Sequence, residues 1–386
     1  MKPGPKDFLS VGFLYDDTLD SNDGVTQYVK TLGGWLSGRG HSVSYLVGET
    51  KTASWHGGKI YSLSKNLAVS WGGNRLSIPL IPKKRQIARV TEANAFDVIH
   101  VQVPYSPLMS QLVINRVCPE TALIGTVHVF PSGWLSKTGS KLLRLLYGKS
   151  LKRFDEMLSV SGAAQSYAKE ALKSDSQVIP NVVDVSVFKK QSSHNSGKSK
   201  KIVFLGRLVK RKGCKYLLLA FAQMHARLPD ARLTVAGDGP EKKSLQALAK
   251  SLGIADSVVF LGRVSEAKKI ELLSTADIAC FPSLYGESFG IVLLEAMATG
   301  ARVVLGGQNP GYSDVLGERK ELLVEPRNSD QFAGRLEKLL SDKPLADELY
   351  KWQQNEVKKY DIETVGPNIE AVYRRAIAKR AKSRHN

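Results

Sequence analysis

Short apolar runs and segments of helical period alternate along this chain, break off at one polar stretch, and then begin to alternate again. No other feature narrows the fold as much, because strands separated by helices pair in parallel and bury both faces of a sheet. In the first round, strands are expected at 8–15, 43–47, 98–103, 123–127 and 157–160. A helix is expected at 25–38, with Val25, Val29, Leu32 and Leu36 on one face and Gly40 closing it, and another near 87–94. The polar stretch is 189–200, KKQSSHNSGKSK, which lacks periodicity and suits a linker. In the second round, strands are expected at 201–205, 232–236, 258–260, 278–281 and 303–305, with helices at 216–227, 241–252, 268–274 and 290–298. Two further helices are expected at 329–340 and 364–378. The pattern implies an α/β protein of two doubly wound parallel-sheet domains, 1–188 and 201–360, joined by the linker 189–200. Ligands of such folds bind at the carboxyl ends of the strands, here in a central cleft that the two sheets face.

At 386 residues the chain has the length for two domains of about 150–200 residues. Its 42% hydrophobic and 24% charged residues are those of an ordinary soluble protein. Cys118, Cys214 and Cys280 lie far apart, so neither a disulfide framework nor a zinc site is expected, and a reducing compartment is. No apolar run reaches the ~18–20 residues that span a bilayer, and residues 1–7 do not read as a signal peptide. A G-x-G-x-x-G turn after the first strand and a Walker A sequence are both absent, which weighs against dehydrogenases and P-loop enzymes. The net charge of +19 favours nucleic acid, an anionic membrane or anionic small molecules as partners.

The segment Gly286-Glu287-Ser288-Phe289-Gly290-Ile291-Val292-Leu293-Leu294-Glu295 carries the most chemistry. Ile291, Leu294 and Ala298 recur at helical spacing, so a helix starts near Gly290. Gly286 and Gly290 allow close approach of a ligand, and the helix N-terminus offers unpaired N–H groups to a phosphate. Glu287 precedes the helix and Glu295 lies more than a turn inside it. That arrangement fits a nucleotide-sugar, with Glu287 on sugar hydroxyls, Glu295 on the ribose and the amides of Ser288 to Ile291 near the diphosphate.

The loop 206–213, GRLVKRKG, follows the first strand of the second domain and is suited to grip a diphosphate with Arg and Lys. Lys210 and Arg211 are expected to face solvent. In Asp23-Gly24-Val25-Thr26-Gln27, Gly24 opens the first helix, where backbone amides can meet the diphosphate. Asp23 is either a helix cap or a contact to the acceptor.

These segments resemble the retaining glycosyltransferases of family GT4, which have the GT-B fold. Glu287 and Glu295 match the family's E-x7-E, and Arg207 and Lys212 match the Arg and Lys that hold the donor diphosphate. Thr126-Val127-His128 is similar to the family's T-x-H, whose His approaches the transferred sugar. The resemblance implies that His128 positions sugar and acceptor rather than acting as a nucleophile, while the leaving phosphate deprotonates the incoming hydroxyl. Fixed cations would stabilise that leaving group. Gly237, in Gly237-Asp238-Gly239-Pro240, matches a donor-side loop, although a plain turn fits it equally. Ile179-Pro180-Asn181-Val182-Val183-Asp184 resembles I-P-N-G-V-D with Val182 in place of Gly, and Asp23 stands where the family usually has Gly. The final helix, 361–386, would cross back to complete the first domain.

Within GT4 the chain is similar to the bacterial phosphatidylinositol mannosyltransferases, through 57–59, 96–101, 104–107 and 286–293. That resemblance implies mannose transfer from GDP-mannose to phosphatidylinositol, with Tyr15, Asp16 and Gln27 in the acceptor site. Basic clusters agree with a lipid acceptor. From Thr121 to Phe154 there is no acid, and Lys137, Lys141 and Arg144 interleave with leucines. Lys83, Lys84, Arg85 and Arg89 form a second cluster, and Arg374, Arg375, Lys379, Arg380, Lys382 and Arg384 a third. Each such residue near an anionic leaflet adds about 1 kcal/mol of attraction, although a solvated basic face would look the same. The expected enzyme sits on the inner face of the cell membrane, uses a nucleotide-sugar, has no resident cofactor and requires no metal, Mg2+ being compatible with it. No nucleic-acid partner is expected. A soluble glycosyltransferase making polysaccharide or glycoside, and a non-catalytic nucleic-acid-binding protein on the same scaffold, are the competing alternatives.

Overall fold

A computed structural model of the chain describes residues 7–21, 23–71, 74–104, 106, 109–128, 150–191 and 200–383. The chain divides into two compact units, Met1–Val182 with Ile362–Asn386, and Val183–Asp361. The division falls ahead of the boundary read at 188, because helix Val185–Gln191 packs on helices of the second unit. Residues 192–199 of the expected linker lie outside the described residues.

The strands of the first unit are β1 (Ser10–Tyr15), β2 (Ser42–Val47), β3 (Ser54–Trp55), β4 (Gly58–Ser62), β5 (Ser64–Trp71), β6 (Asn74–Pro82), β7 (Val98–Gln102), β8 (Ala122–Val127), β9 (Glu156–Ser159) and β10 (Gln177–Val178). Its helices are α1 (Gly24–Gly38), α2 (Lys84–Ala93), α3 (Met109–Arg116) and α4 (Gly162–Tyr167), together with the last helix of the chain. The main sheet runs β10-β9-β8-β7-β1-β2-β4-β3, and β5 and β6 make a separate antiparallel hairpin. All pairs in the main sheet are parallel except β3 with β4.

Strand period explains the two core layers. Val11, Phe13 and Tyr15 of β1 point to one face, where Leu32 and Leu36 of α1 pack with Ile369 and Tyr373 of the last helix. Leu14 points to the other, with Leu46, Ile99 and Val101 and with Ile87 and Val113 of α2 and α3. Burial on both faces is what a parallel sheet requires of its central strands.

In the second unit, helix α5 (Val185–Gln191) precedes β11 (Lys201–Leu205). Then come α6 (Cys214–His225), β12 (Arg232–Ala236), α7 (Lys242–Ser251), β13 (Val258–Gly262), α8 (Glu266–Ser274) and β14 (Ile278–Phe281). The unit continues with α9 (Ile291–Ala298), β15 (Val303–Gly307), α10 (Pro310–Leu316), β16 (Leu323–Val324), α11 (Ser329–Ser341) and α12 (Lys343–Glu356). Its parallel sheet runs β13-β12-β11-β14-β15-β16. The chain ends in α13 (Ile362–Ser383), which belongs to the first unit.

Both sheets have the Rossmann order. In one sheet β2 and β7 flank β1 on opposite sides, and in the other β12 and β14 flank β11, so each sheet has a switch point, between β1 and β7 and between β11 and β14. A crevice outside the carboxyl ends of the strands opens at such a point. Among the described residues, no helix is long and apolar enough to cross a membrane.

Candidate functional site

The switch point of the second unit lies where β11 runs into 206–213 and β14 runs into 282–290. Lys210–Lys212 forms a single 3-10 turn closed by Gly213 at φ 71°. A Cβ on Gly213 would stand 1.9 Å from the carbonyl oxygen of Pro282, so glycine is what lets the two loops touch. Across that contact, Glu287 receives Arg211 Nη1 at 2.8 Å and Lys212 Nζ at 2.8 Å. Burial alone would raise the Glu287 carboxyl, but Lys212 and then Arg211 outweigh it and hold the group below its usual range. Arg211 is therefore not the solvent-facing residue that the loop sequence suggests. Its side chain is 16% exposed and aims at the glutamate.

Arg207 is half-buried, and its side chain has no hydrogen bond or ion pair among the described residues. Gly237, at φ 147°, presses on the same loop; a Cβ there would meet the Gly206 carbonyl oxygen at 1.8 Å. Gly290 caps α9 at φ 112°, and Ser288 and Ile291 beside it are half-buried. The Phe289 side chain goes into packing, edge-on to Tyr360 with centroids 5.6 Å apart, which leaves its backbone for a ligand. Glu295, expected on the ribose, is 7% exposed and pairs at 3.0 Å with Lys269 of α8. Lys269 also meets Glu266 and lies 5.8 Å over the Phe188 ring. Burial opposes its charge, yet the Glu295 and Glu266 carboxylates hold it above the usual lysine range. One oxygen of Glu295 is thus engaged within the protein.

The switch point of the first unit is built differently. Asp16, just after β1, is 5% exposed and accepts from Ser106 Oγ and Ser110 Oγ, both at 2.6 Å. Burial raises its carboxyl from 3.8 to about 6, against the pull of the two hydroxyls. Asp23 is the cap of α1: its carboxylate accepts from the N–H groups of Val25 and Thr26, both at 3.0 Å. Of the two roles open to it from sequence, capping is the one it takes here. It also takes two of the amides that Gly24 suggested for a diphosphate, leaving the Gly24 N–H without a partner among the described residues. Tyr15 is buried with its hydroxyl 3.5 Å from Asp23, and Gln27 is half-buried on α1.

His128 follows β8 and is 5% exposed. Its Nε2 lies 2.6 Å from Gln102 Oε1, and Tyr28 meets the ring edge-on at 4.9 Å. Burial lowers the imidazole from 6.5 to about 3, so the ring is neutral at physiological pH. Val103, directly after Gln102, has φ 59°, a strained value for a β-branched residue, and such strain clusters at functional sites.

Sequence reasoning missed Gln102, Lys269, Ser106 and Ser110. A polar side chain ending a buried core strand was the available signal for Gln102, and Glu266 one turn before Lys269 the signal for that lysine.

The basic clusters divide. Lys84, Arg85 and Arg89 are exposed on α2, whereas Lys83 Nζ donates to the Ser62 carbonyl at 2.9 Å. Lys137, Lys141 and Arg144 lie outside the described residues. The C-terminal cluster is largely structural: Arg380 binds Asp155 with two nitrogens at 2.8 and 3.1 Å, Lys379 reaches the Asp155 carbonyl, and Arg374 pairs with Glu370. Arg384 lies outside the described residues, and the described part of the cluster is not the free basic patch that the sequence suggests.

The chain is similar in sequence and in fold to known glycosyltransferases. The family model for glycosyl transferases group 1 matches residues 186–356, and that for glycosyltransferase family 4 matches residues 22–187. The chain is 30% identical over 375 residues to phosphatidyl-myo-inositol mannosyltransferase of Mycolicibacterium smegmatis, covering 95% of this chain and 93% of that one. It is 28% identical over 247 residues to a GDP-mannose-dependent alpha-(1-6)-phosphatidylinositol monomannoside mannosyltransferase of Mycobacterium tuberculosis, covering 60% of this chain and 63% of the relative. Among solved structures, HepE of Anabaena in complex with UDP and glucose is similar in fold, with TM-score 0.74 and 18% identity over 94% of this chain and 99% of that one.

Proposed function

This chain belongs to the GT4 family of GT-B glycosyltransferases, and from that premise we propose that it moves mannose from GDP-mannose to a phosphatidylinositol-like lipid. The observation that carries the donor side is Glu287 held between Arg211 and Lys212 at the switch point of the second unit. A carboxylate oriented by Arg211 can accept from sugar hydroxyls while Lys212 beside it faces the diphosphate joined to that sugar. As the glycosidic C–O bond breaks, the nucleoside diphosphate gains charge, and Lys212 with Arg207 stabilises it. The leaving phosphate takes the proton of the acceptor hydroxyl, and the anomeric configuration is retained. Glu295 accepts from the ribose through the oxygen that Lys269 leaves over. The cations replace a metal in this scheme, so EDTA should leave the rate unchanged.

The lipid acceptor is supported by the near-full-length similarity to phosphatidyl-myo-inositol mannosyltransferases and by the exposed Lys84, Arg85 and Arg89 on α2. On this reading the enzyme works on an anionic membrane surface at the inner leaflet and has no nucleic-acid partner. Radiolabelled GDP-mannose with phosphatidylinositol vesicles tests it. Labelled lipid is the expected product, in the α configuration by NMR. Transfer from UDP-sugars to soluble acceptors alone, with no binding to anionic vesicles at low salt, would replace it with the soluble-acceptor alternative.

A further inference from the structure

The polar atoms around His128 carry a deduction about its proton. Gln102 Nε2 lies 3.3 Å from the backbone carbonyl oxygen of His100. A carbonyl oxygen only accepts, so the atom facing it is the amide nitrogen, and the opposite atom, Oε1, faces His128. Oε1 also only accepts. At 2.6 Å from it, His128 Nε2 must therefore carry the hydrogen. A neutral imidazole has one N–H, which leaves Nδ1 bare. Among the described residues, Nδ1 has no hydrogen-bond partner.

The surroundings hold this arrangement in place. His100 is itself fixed, with Nδ1 2.7 Å from the Tyr373 hydroxyl of α13 and Nε2 2.6 Å from the Thr126 hydroxyl. Tyr28 blocks rotation of the His128 ring from the side. Gln102 and His100 are 0% exposed, so water does not compete for either atom.

We propose that Gln102 is a positioning residue that fixes His128 in the Nε2–H tautomer, so that Nδ1 accepts a hydrogen bond from a hydroxyl of the substrate instead of donating one. The chemistry follows from the tautomer. An accepting nitrogen selects a hydroxyl that can turn its proton toward the protein, and it pushes electron density onto that oxygen. A donating nitrogen would do the reverse. The proposal rests on the glycosyl transfer of the proposed function and on His128 facing the reacting sugar or its acceptor, as the GT4 resemblance implies, but the tautomer itself is a property of the free protein.

Two-bond 1H–15N NMR on 15N-histidine-labelled protein reads the tautomer directly, with the His128 signals assigned by their loss in His128→Asn. The expected result is a protonated Nε2 and an unprotonated Nδ1 from pH 6 to pH 8. A protonated Nδ1 in the wild-type protein overturns the proposal, whether or not mannose transfer is found. Gln102→Met removes the acceptor at similar volume. It should give a mixture of tautomers and about a 10-fold lower kcat with an unchanged circular-dichroism spectrum; wild-type kcat with a scrambled tautomer would also overturn it. Gln102→Glu, which still accepts, should keep Nε2 protonated. Should Gln102→Met fail to fold, the wild-type spectrum decides alone.

Discussion

The two units share one strand order and present their chemistry at the same topological position, yet they stabilise it in opposite ways. At the β11/β14 switch point a carboxylate is held by two cations, and the group is charged. At the β1/β7 switch point a carboxylate is held by two serine hydroxyls and a neutral imidazole by an amide, and burial favours the uncharged forms. The contrast matches the ligands proposed. A diphosphate and the sugar it carries need fixed charge, whereas hydroxyls are sorted by donor and acceptor direction.

The largest break in this contrast is Glu287→Ala. It removes the acceptor for sugar hydroxyls and lets Arg211 and Lys212 point elsewhere, so kcat should fall about 10³-fold while the circular-dichroism spectrum stays that of the wild type. Turnover near the wild-type rate would remove Glu287 from the donor site.

The pH dependence of stability should carry opposite signs at the two positions. Glu287 sits below its usual range, so its ion pairs contribute stability above the unfolded-state value and lose it as pH falls through the folded one. Asp16 is raised from 3.8 to about 6, so its contribution falls away as pH rises across that window. The shift of about 2 units corresponds to about 3 kcal/mol of burial cost at neutral pH. Asp16→Asn, which keeps an acceptor for Ser106 or Ser110 without the charge, should therefore have a Tm close to the wild type near pH 4 and above it at pH 7.5. A Tm difference that does not change with pH would mean that Asp16 is not the titrating group.

How much of this was open to the sequence follows the same contrast. Charge and glycine are visible as letters. Gly290, Glu287, Arg207 and Lys212 stand out as candidates because close backbone approach and phosphate chemistry each demand particular residue types, and the alternation of elements already implies both sheets. Strand β3 has two residues, and the hairpin β5–β6 lies off the main sheet, so no long apolar period announced either. Helix α12, KPLADELYKWQQNE, hides behind a polar composition and depends on packing that only the folded unit supplies. Arg211 was missed because its neighbours look solvated, and only the contact between two loops turns it inward. The C-terminal basic cluster misled for the converse reason: its acidic partner, Asp155, lies more than 200 residues away in sequence.

Separating the two cations on Glu287 sharpens the charged half. Lys212→Ala removes a group assigned to the diphosphate and should lower kcat/KM about 100-fold, mostly in kcat. Arg211→Ala removes a group that orients Glu287 and should cost about 10-fold, with part of the loss in KM. Equal losses in both parameters for both variants would mean that the two cations act as one unit.

The smallest effect tests the neutral half at its exposed edge. Asp23 already supplies a carboxylate to the first amides of α1, so any phosphate arriving at Gly24 meets a negative charge where most helix N-termini offer a positive one. Asp23→Asn keeps a good cap and removes the charge, whereas Asp23→Gly removes the side chain at a cost of a few tenths of a kcal/mol. If a donor phosphate comes to this terminus, both variants should lower the KM for GDP-mannose by about 2- to 5-fold, the size of a single charge–helix interaction, and Asp23→Asn should do so with no change in Tm. If KM stays fixed in both while the lipid KM moves, the terminus belongs to the acceptor, and the donor diphosphate is held by Arg207 and Lys212 without help from α1.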